Sequence, residues 1–301
     1  MKKSAISLSL VLCLLLAACG APAAPTAAPA EDQTMHIVAT TYPVYLFTTA
    51  VTQGMDGIEV TQLVNQQTAC LHDYTLTVND MKAIEKADVI VMNGAGLEDF
   101  MDDALASSGA PVVDCSQGID LLPVQGHEGH DHDAEFDPHI WMSPANAAQM
   151  IRNIRTDLTQ LLPDQEQLLA DNADQAEARL TDELPALPSE LAHRDLITFH
   201  DGFQYFSRAF DFTLLKAIEE EEGAETSAAE IKELVSLVGE KHIPAIFTEK
   251  NGSDATAKAI ARETGCGVFQ LDMIMSGSGT GIGPYIDGIN ANIDAIAEAF
   301  Q

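Results

Sequence analysis

From Pro144 to about Leu191 the chain contains no strand-like run, only amphipathic helix interrupted at Pro163. Within it, LLPDQEQLLADNADQAEARLTDEL places Leu168, Leu169, Ala173, Ala176 and Leu180 at helical spacing after a Pro-Asp start. On the N-terminal side, four β-like runs (36–41, 58–64, 87–93 and 111–115) alternate with helical stretches near 43–53, 78–86 and 97–107. On the C-terminal side the alternation resumes with runs at 195–199, 212–218, 244–248 and 267–271, and helices at 202–210, 227–241, 253–264 and 284–300. Strands alternating with helices at this spacing demand βα units and a mainly parallel sheet on each side. The expected fold class is therefore α/β: two similar lobes with mainly parallel sheets, joined by a long helical segment. In such sheets, chemistry gathers at the carboxyl ends of the strands, which directs attention to the crevice between the lobes.

The start of the chain belongs to neither lobe. Lys2 and Lys3, an apolar run from Ala5 to Leu16, and Ala17-Ala18 form an export signal over residues 1–18. The ending Leu16-Ala17-Ala18-Cys19-Gly20 resembles a bacterial lipobox, which implies lipidation at Cys19, a lipid anchor to the membrane and an extracytoplasmic location at its outer face. Residues 19–34 are rich in Ala and Pro, have little to bury, and read as a tether. The formal charge of −31 becomes −33 when Lys2 and Lys3 leave with the signal, which argues against nucleic acid as a partner. Besides Cys13 and Cys19 the chain has Cys70, Cys115 and Cys266, so at most one internal disulfide can form, and no CxxC is present.

Four residues combine ligand chemistry with a strand-end or loop position. His200 follows the run Leu196–Phe199, Glu249 follows Ile246–Thr248, His72 lies in the loop after the second strand, and His139 follows Asp137-Pro138 ahead of Ile140-Trp141-Met142. Each alone is equally a backbone-bonded residue at a sheet edge. Together they bring imidazole and carboxylate, the donors of a first-row divalent cation, to one crevice from both lobes. A second concentration, GHEGHDHD, contributes His127, His130 and His132, but Gly126 and Gly129 argue against a helix aligning them. Ordering such a segment around an ion costs entropy, so 126–136 is expected to bind zinc weakly, as an accessory loop.

TTYPVY at 40–45, CLHDYTLTVNDMKAIEKADVIVMNGAGLEDFM at 70–101, DPHIWMSP at 137–144, ITFHDGFQYFSRAFDF at 197–212 and AIFTEK at 245–250 resemble, in order, the blocks of the metal-receptor class of ABC-importer substrate-binding lipoproteins. The resemblance runs from about residue 36 to 301. It implies an N-terminal lobe over 35–163, a rigid linking helix over 164–192, a C-terminal lobe over 193–301, and a metal ion in the interlobe cleft. It also implies an ABC permease as partner, a monomer, and no enzymatic activity. The ligand positions carry over to His72, His139 and His200. Manganese-type members have a carboxylate where this chain has His200, so Zn2+ is the expected cargo, with Mn2+ or iron as the alternative. Two departures stand out: Leu71 replaces a proline before His72, beside Cys70, and the acidic fourth ligand aligns with Gly283. Glu249 is then either a fourth ligand or an acceptor that orients a ligand histidine. A zinc hydrolase with Glu249 as general base and an adhesin-like lipoprotein are the remaining readings, although no HExxH or nucleophile elbow is present.

Overall fold

The computed structural model describes residues 34–64, 74–124, 135–187, 191–219, 226–250 and 252–301. The export signal, most of the tether, Cys19, Cys70, His72 and the loop histidines His127, His130 and His132 lie outside the described residues.

Two four-stranded parallel sheets form the frame. In the first, β1 (Met35–Ala39), β2 (Ile58–Gln62), β3 (Val89–Met92) and β4 (Val112–Asp114) lie in the order β2-β1-β3-β4, with Ile37 paired to both Val60 and Val89. In the second, β5 (Asp195–His200), β6 (Thr213–Glu219), β7 (Ala245–Glu249) and β8 (Gly267–Leu271) repeat that arrangement as β6-β5-β7-β8. The central strands β3 (VIVM) and β7 (AIFTE) are almost entirely buried and begin as apolar runs, as parallel strands covered by helices must be. Helices α1 (Tyr42–Val51), α2 (Val78–Lys86) and α3 (Asp102–Ser108) make the crossovers of the first lobe. A capping box between Thr77 and Asp80 starts α2, and Tyr74 donates to the same Asp80 carboxylate at 2.8 Å. In the second lobe the helices are α6 (Gln204–Ala209), α7 (Ala228–Lys241), α8 (Ala255–Thr264) and α9 (Gly283–Ala299).

The strand-free middle is two helices, α4 (Pro144–Leu161) and α5 (Glu166–Asp182), separated by a 3-10 turn at Pro163–Gln165. Proline lacks the N–H that would continue the ladder, so α4 stops at Leu161 and the chain restarts. The second helix ends at Asp182, ahead of the expected 192, and Pro185 lies three residues beyond. Buried Leu169, Ala173, Ala176 and Leu180 form its inner stripe, the spacing visible in the sequence. Both α4 and α5 pack against α1 as well as against each other.

A single apolar cluster runs from β1 and α1 through α4 and α5 to α6 and α9, joining the lobes without a break. At its centre is Trp141, fully buried and the only tryptophan. Its Nε1–H donates to the carbonyl of Met273 at 2.8 Å, and its own carbonyl accepts from the hydroxyl of Tyr285 at 2.7 Å. Tyr285 also stacks edge-on against Phe47 of α1, with ring centroids 5.1 Å apart. The segment before α4 is thereby tied to the segment after β8 and to α9.

The first lobe contains a buried carboxylate. Oε1 of Glu98 accepts from the Thr40 hydroxyl at 2.6 Å and the Asn93 N–H at 2.7 Å, and Oε2 accepts from the Gly94 N–H at 3.0 Å. Thr40 follows β1 and Asn93 follows β3, so Glu98 closes the crevice where the strand order reverses. Gly94 is required there: its φ is +79°, and a Cβ would fall 2.0 Å from Oδ1 of Asp114. The Asn93 side-chain amide then donates to the carbonyl of Pro138 at 2.9 Å. Burial raises the pKa of Glu98 to about 7 in spite of its three donors.

Two outcomes follow from these contacts. Tyr285→Phe strands the buried Trp141 carbonyl and should lower stability by about 1–2 kcal/mol, seen as a lower urea midpoint at unchanged m-value. The Glu98 proton is held up to about pH 7 in the folded state but released near 4.5 in the unfolded chain. The native state therefore binds more protons across that window. The associated stability is complete below pH 4.5 and lost as pH rises through 7. In the difference between wild type and Glu98→Gln, this loss should amount to on the order of 3 kcal/mol. A flat difference between pH 4.5 and 8 would contradict it.

Candidate metal centre

His200 is the last residue of β5 and Glu249 the last residue of β7, the two strands flanking the reversal point of the second sheet. His139 comes from the first lobe, on the turn that enters α4 through Ile140–Met142. Across the cleft, Nε2 of His139 and Nε2 of His200 stand 3.1 Å apart, the rings perpendicular with centroids 5.0 Å apart. Both histidines are almost entirely buried, at 5% and 3% exposure.

A carboxylate faces the other nitrogen of each ring. Nδ1 of His139 lies 2.8 Å from Oδ1 of Asp137, which also accepts the His139 backbone N–H at 2.9 Å. Nδ1 of His200 lies 2.9 Å from Oε1 of Glu249, an ion-pair contact set off the ideal line of the ring N–H. The Asp137 loop is itself fixed from the opposite lobe: Tyr205 on α6 donates to the Asp137 carbonyl at 3.0 Å and accepts from the Leu122 N–H at 2.9 Å. Burial pushes the Tyr205 hydroxyl up to about 12, so it remains a donor throughout the useful pH range.

This arrangement fixes the tautomers. With a proton on each Nδ1, hydrogen-bonded to Asp137 at His139 and in ionic contact with Glu249 at His200, each Nε2 presents a lone pair to the same point. Two facing lone pairs repel unless a proton or a cation lies between them. Burial works against a charge on His200, but the contact and charge of Glu249, with Asp201 and Asp137 behind, outweigh it and hold its pKa above the ordinary histidine value. Two nitrogens bound to one tetrahedral zinc, at about 2.0–2.1 Å each, would be separated by about 3.3 Å, close to the spacing found here. Carboxylates on the non-coordinating nitrogens are the usual supports of metal-bound imidazole.

Of the residues singled out in the sequence, His139, His200 and Glu249 meet at this point. Among the described residues, no third histidine, cysteine or carboxylate joins the imidazoles in a three-residue metal cluster. Gly283 does not border it: the nearest group to a Cβ there is the guanidinium of Arg179, at 3.7 Å. Cys115 is a buried free thiol in the core of the first lobe, and Cys266 is free as well.

Two residues that the sequence reading passed over border the site. A Cβ on Gly202 would lie 2.8 Å from Cδ2 of His200, 3.0 Å from Cδ2 of His139 and 2.4 Å from Cε of Met273. Gly202 is therefore the clearance that lets the rings meet, and Met273 supplies the third group at that spot. Gly202 had a signal in HDG, directly after the ligand strand, and Met273 had one as a strand-end residue two positions past β8.

The family model described as "ZnuA: Zinc-uptake complex component A periplasmic" matches residues 37–299. The high-affinity zinc uptake system protein ZnuA of Bacillus subtilis (strain 168) is 28% identical, over 95% of this chain and 94% of its own length. The iron-binding protein YfeA of Yersinia pestis is 30% identical, over 83% of this chain and 82% of its own. A crystal structure of ZnuA covers 89% of this chain and the whole of its own, at 27% identity and a TM-score of 0.75. The family's role is that of an uptake-complex component, a binding role and not catalysis. With nearly all of both lobes matched, the chain belongs to the periplasmic zinc-uptake complex component A family.

Proposed function

We propose that the protein is an extracytoplasmic receptor that captures Zn2+ between its lobes and passes it to the membrane permease of an ABC-type importer. The observation that carries this is the pair of Nε2 atoms 3.1 Å apart across the cleft, each ring backed by a carboxylate. His139 and His200 are two of the ligands, and His72, from the stretch of sequence between β2 and α2, is the third. Glu249 is assigned to orienting His200, because its Oε1 is already engaged at Nδ1. Neutral imidazole donors favour zinc over manganese, which prefers oxygen. Lipidation at Cys19 holds the receptor at the outer face of the membrane, and His127, His130 and His132 act as a weak accessory capture loop.

Metal titration of the purified protein tests the assignment. His72→Ala, His139→Ala and His200→Ala should each weaken zinc binding by roughly a hundredfold or more. Apparent zinc free energies of about 10–16 kcal/mol spread over four ligands come to about 3 kcal/mol each. Asp137→Asn and Glu249→Gln should cost about 10–100-fold, the range for outer partners of ligand histidines. Tighter manganese than zinc binding would reverse the choice of metal, and full affinity in the His200 variant would end the site assignment. Deleting 126–134 should remove only weak additional zinc and leave the tight site intact, as read from calorimetric stoichiometry.

A further inference from the structure

The imidazole of the first lobe stands on a three-residue turn. His139 adopts φ −78° and ψ 43°, close to an inverse γ-turn, and the Ile140 N–H closes that turn on the Pro138 carbonyl at 2.8 Å. A single hydrogen bond over three residues gives little rigidity, whereas His200 lies within the ladder of β5. The direction of the His139 ring therefore depends on what else grips the Pro138 carbonyl.

Asn93 grips it. From 45 positions earlier in the chain, its Nδ2 donates to the Pro138 carbonyl at 2.9 Å, and the same amide donates to the Gly94 carbonyl at 2.9 Å. Between two carbonyl oxygens only the –NH2 end of an amide fits. Oδ1 has no partner among the described residues, although the residue is fully buried. An unpaired buried acceptor is costly, so the orientation of the amide answers to its two acceptors. Asn93 is itself fixed: it follows Met92 at the end of β3, and its backbone N–H donates to Oε1 of Glu98 at 2.7 Å. On the other side, Oδ1 of Asp137 takes the His139 N–H and faces the ring Nδ1. Asp137 thus sets the rotation of the ring, and Asn93 sets the peptide that carries it.

We infer that Asn93 is a positioning residue of the metal centre, carrying the fixed geometry of the β3 end to the His139 turn and so setting the aim of Nε2. The inference rests on the metal-receptor reading above and deepens it. His200 takes its place from the second sheet directly, and His139 takes its place from the first sheet through one amide. An aspartate has the same shape, but when ionised it offers only acceptors, and both carbonyls would repel it.

Asn93→Asp keeps the size and removes both donors, and Asn93→Ser, with a shorter side chain, serves where the aspartate variant does not fold. Competition titrations with Zn2+ should show affinity lower by about tenfold or more in these variants, within the range of about 10–100-fold for outer partners of ligand histidines. Ile260→Ala, in the separate apolar cluster of the second lobe, should also lower the melting temperature yet keep zinc affinity within about twofold. The metal-free protein gives a second readout. Nitrogen-15 spectra should show the His139 Nδ1–H, hydrogen-bonded to Asp137, at a shift that moves in the Asn93 variants and stays in place in Ile260→Ala. Wild-type zinc affinity in the Asn93 variants, an unmoved His139 signal, or an equal loss of affinity in Ile260→Ala overturns the inference. Absence of zinc binding by the wild type would instead refute the receptor reading, and the metal-free spectra would still decide whether Asn93 aims the ring.

Discussion

Two imidazole lone pairs aimed at one buried point are unstable unless something positive sits between them, and much of the surrounding structure holds that arrangement in place. Each ring reaches the point from a different lobe, so neither lobe could form the site alone. The means are unequal. In the second lobe His200 and Glu249 terminate adjacent strands, and the sheet itself sets their separation. In the first lobe His139 lies on a turn and needs scaffolding: Asp137 holds the ring, Tyr205 holds Asp137, and Glu98 reaches the neighbouring Pro138 through Asn93.

The equivalence of the sheets explains this division. Both use the order 2-1-3-4, with the strand reversal between the first and third strands of each lobe. At that reversal the second lobe places His200 and Glu249. At the matching place the first lobe puts Glu98, facing Thr40, Asn93 and Gly94, fully occupied by its own backbone and by a single hydroxyl. One topological position thus carries the histidine–carboxylate pair in one lobe and a structural clamp in the other. The unbroken core through Trp141 and Tyr285 makes the two act on each other.

Most of this order was legible in the sequence because it depends on local periodicity. All eight strands, and the α/β alternation with its strand-free middle, come from apolar runs of the right length. His200 and Glu249 come from the rule that strand ends carry chemistry. What escaped depends on register and on close approach. The two hydrogen bonds by which Asn292 holds the Asp272 N–H and carbonyl join residues twenty positions apart, a pairing that no local periodicity announces. Gly202 looks like turn chemistry in HDG, yet its role is to be absent where two rings must meet. Gly283 shows the reverse error. Aligned with an acidic ligand by resemblance, it faces Arg179 at the start of α9.

Charge explains why the site can be so deeply buried. Asp137 and Glu249 are 2% and 8% exposed, and no Lys or Arg is paired with either among the described residues. Two carboxylates in such a place call for compensation, since an uncompensated buried charge is expensive. A divalent ion on the two imidazoles, as proposed, would supply it: two positive charges at the centre, with the two carboxylates one ring away. Without the ion, the raised pKa of His200 allows a proton to supply part of the same compensation. On the proposed ligand assignment, an ion and a proton would compete for that one lone pair.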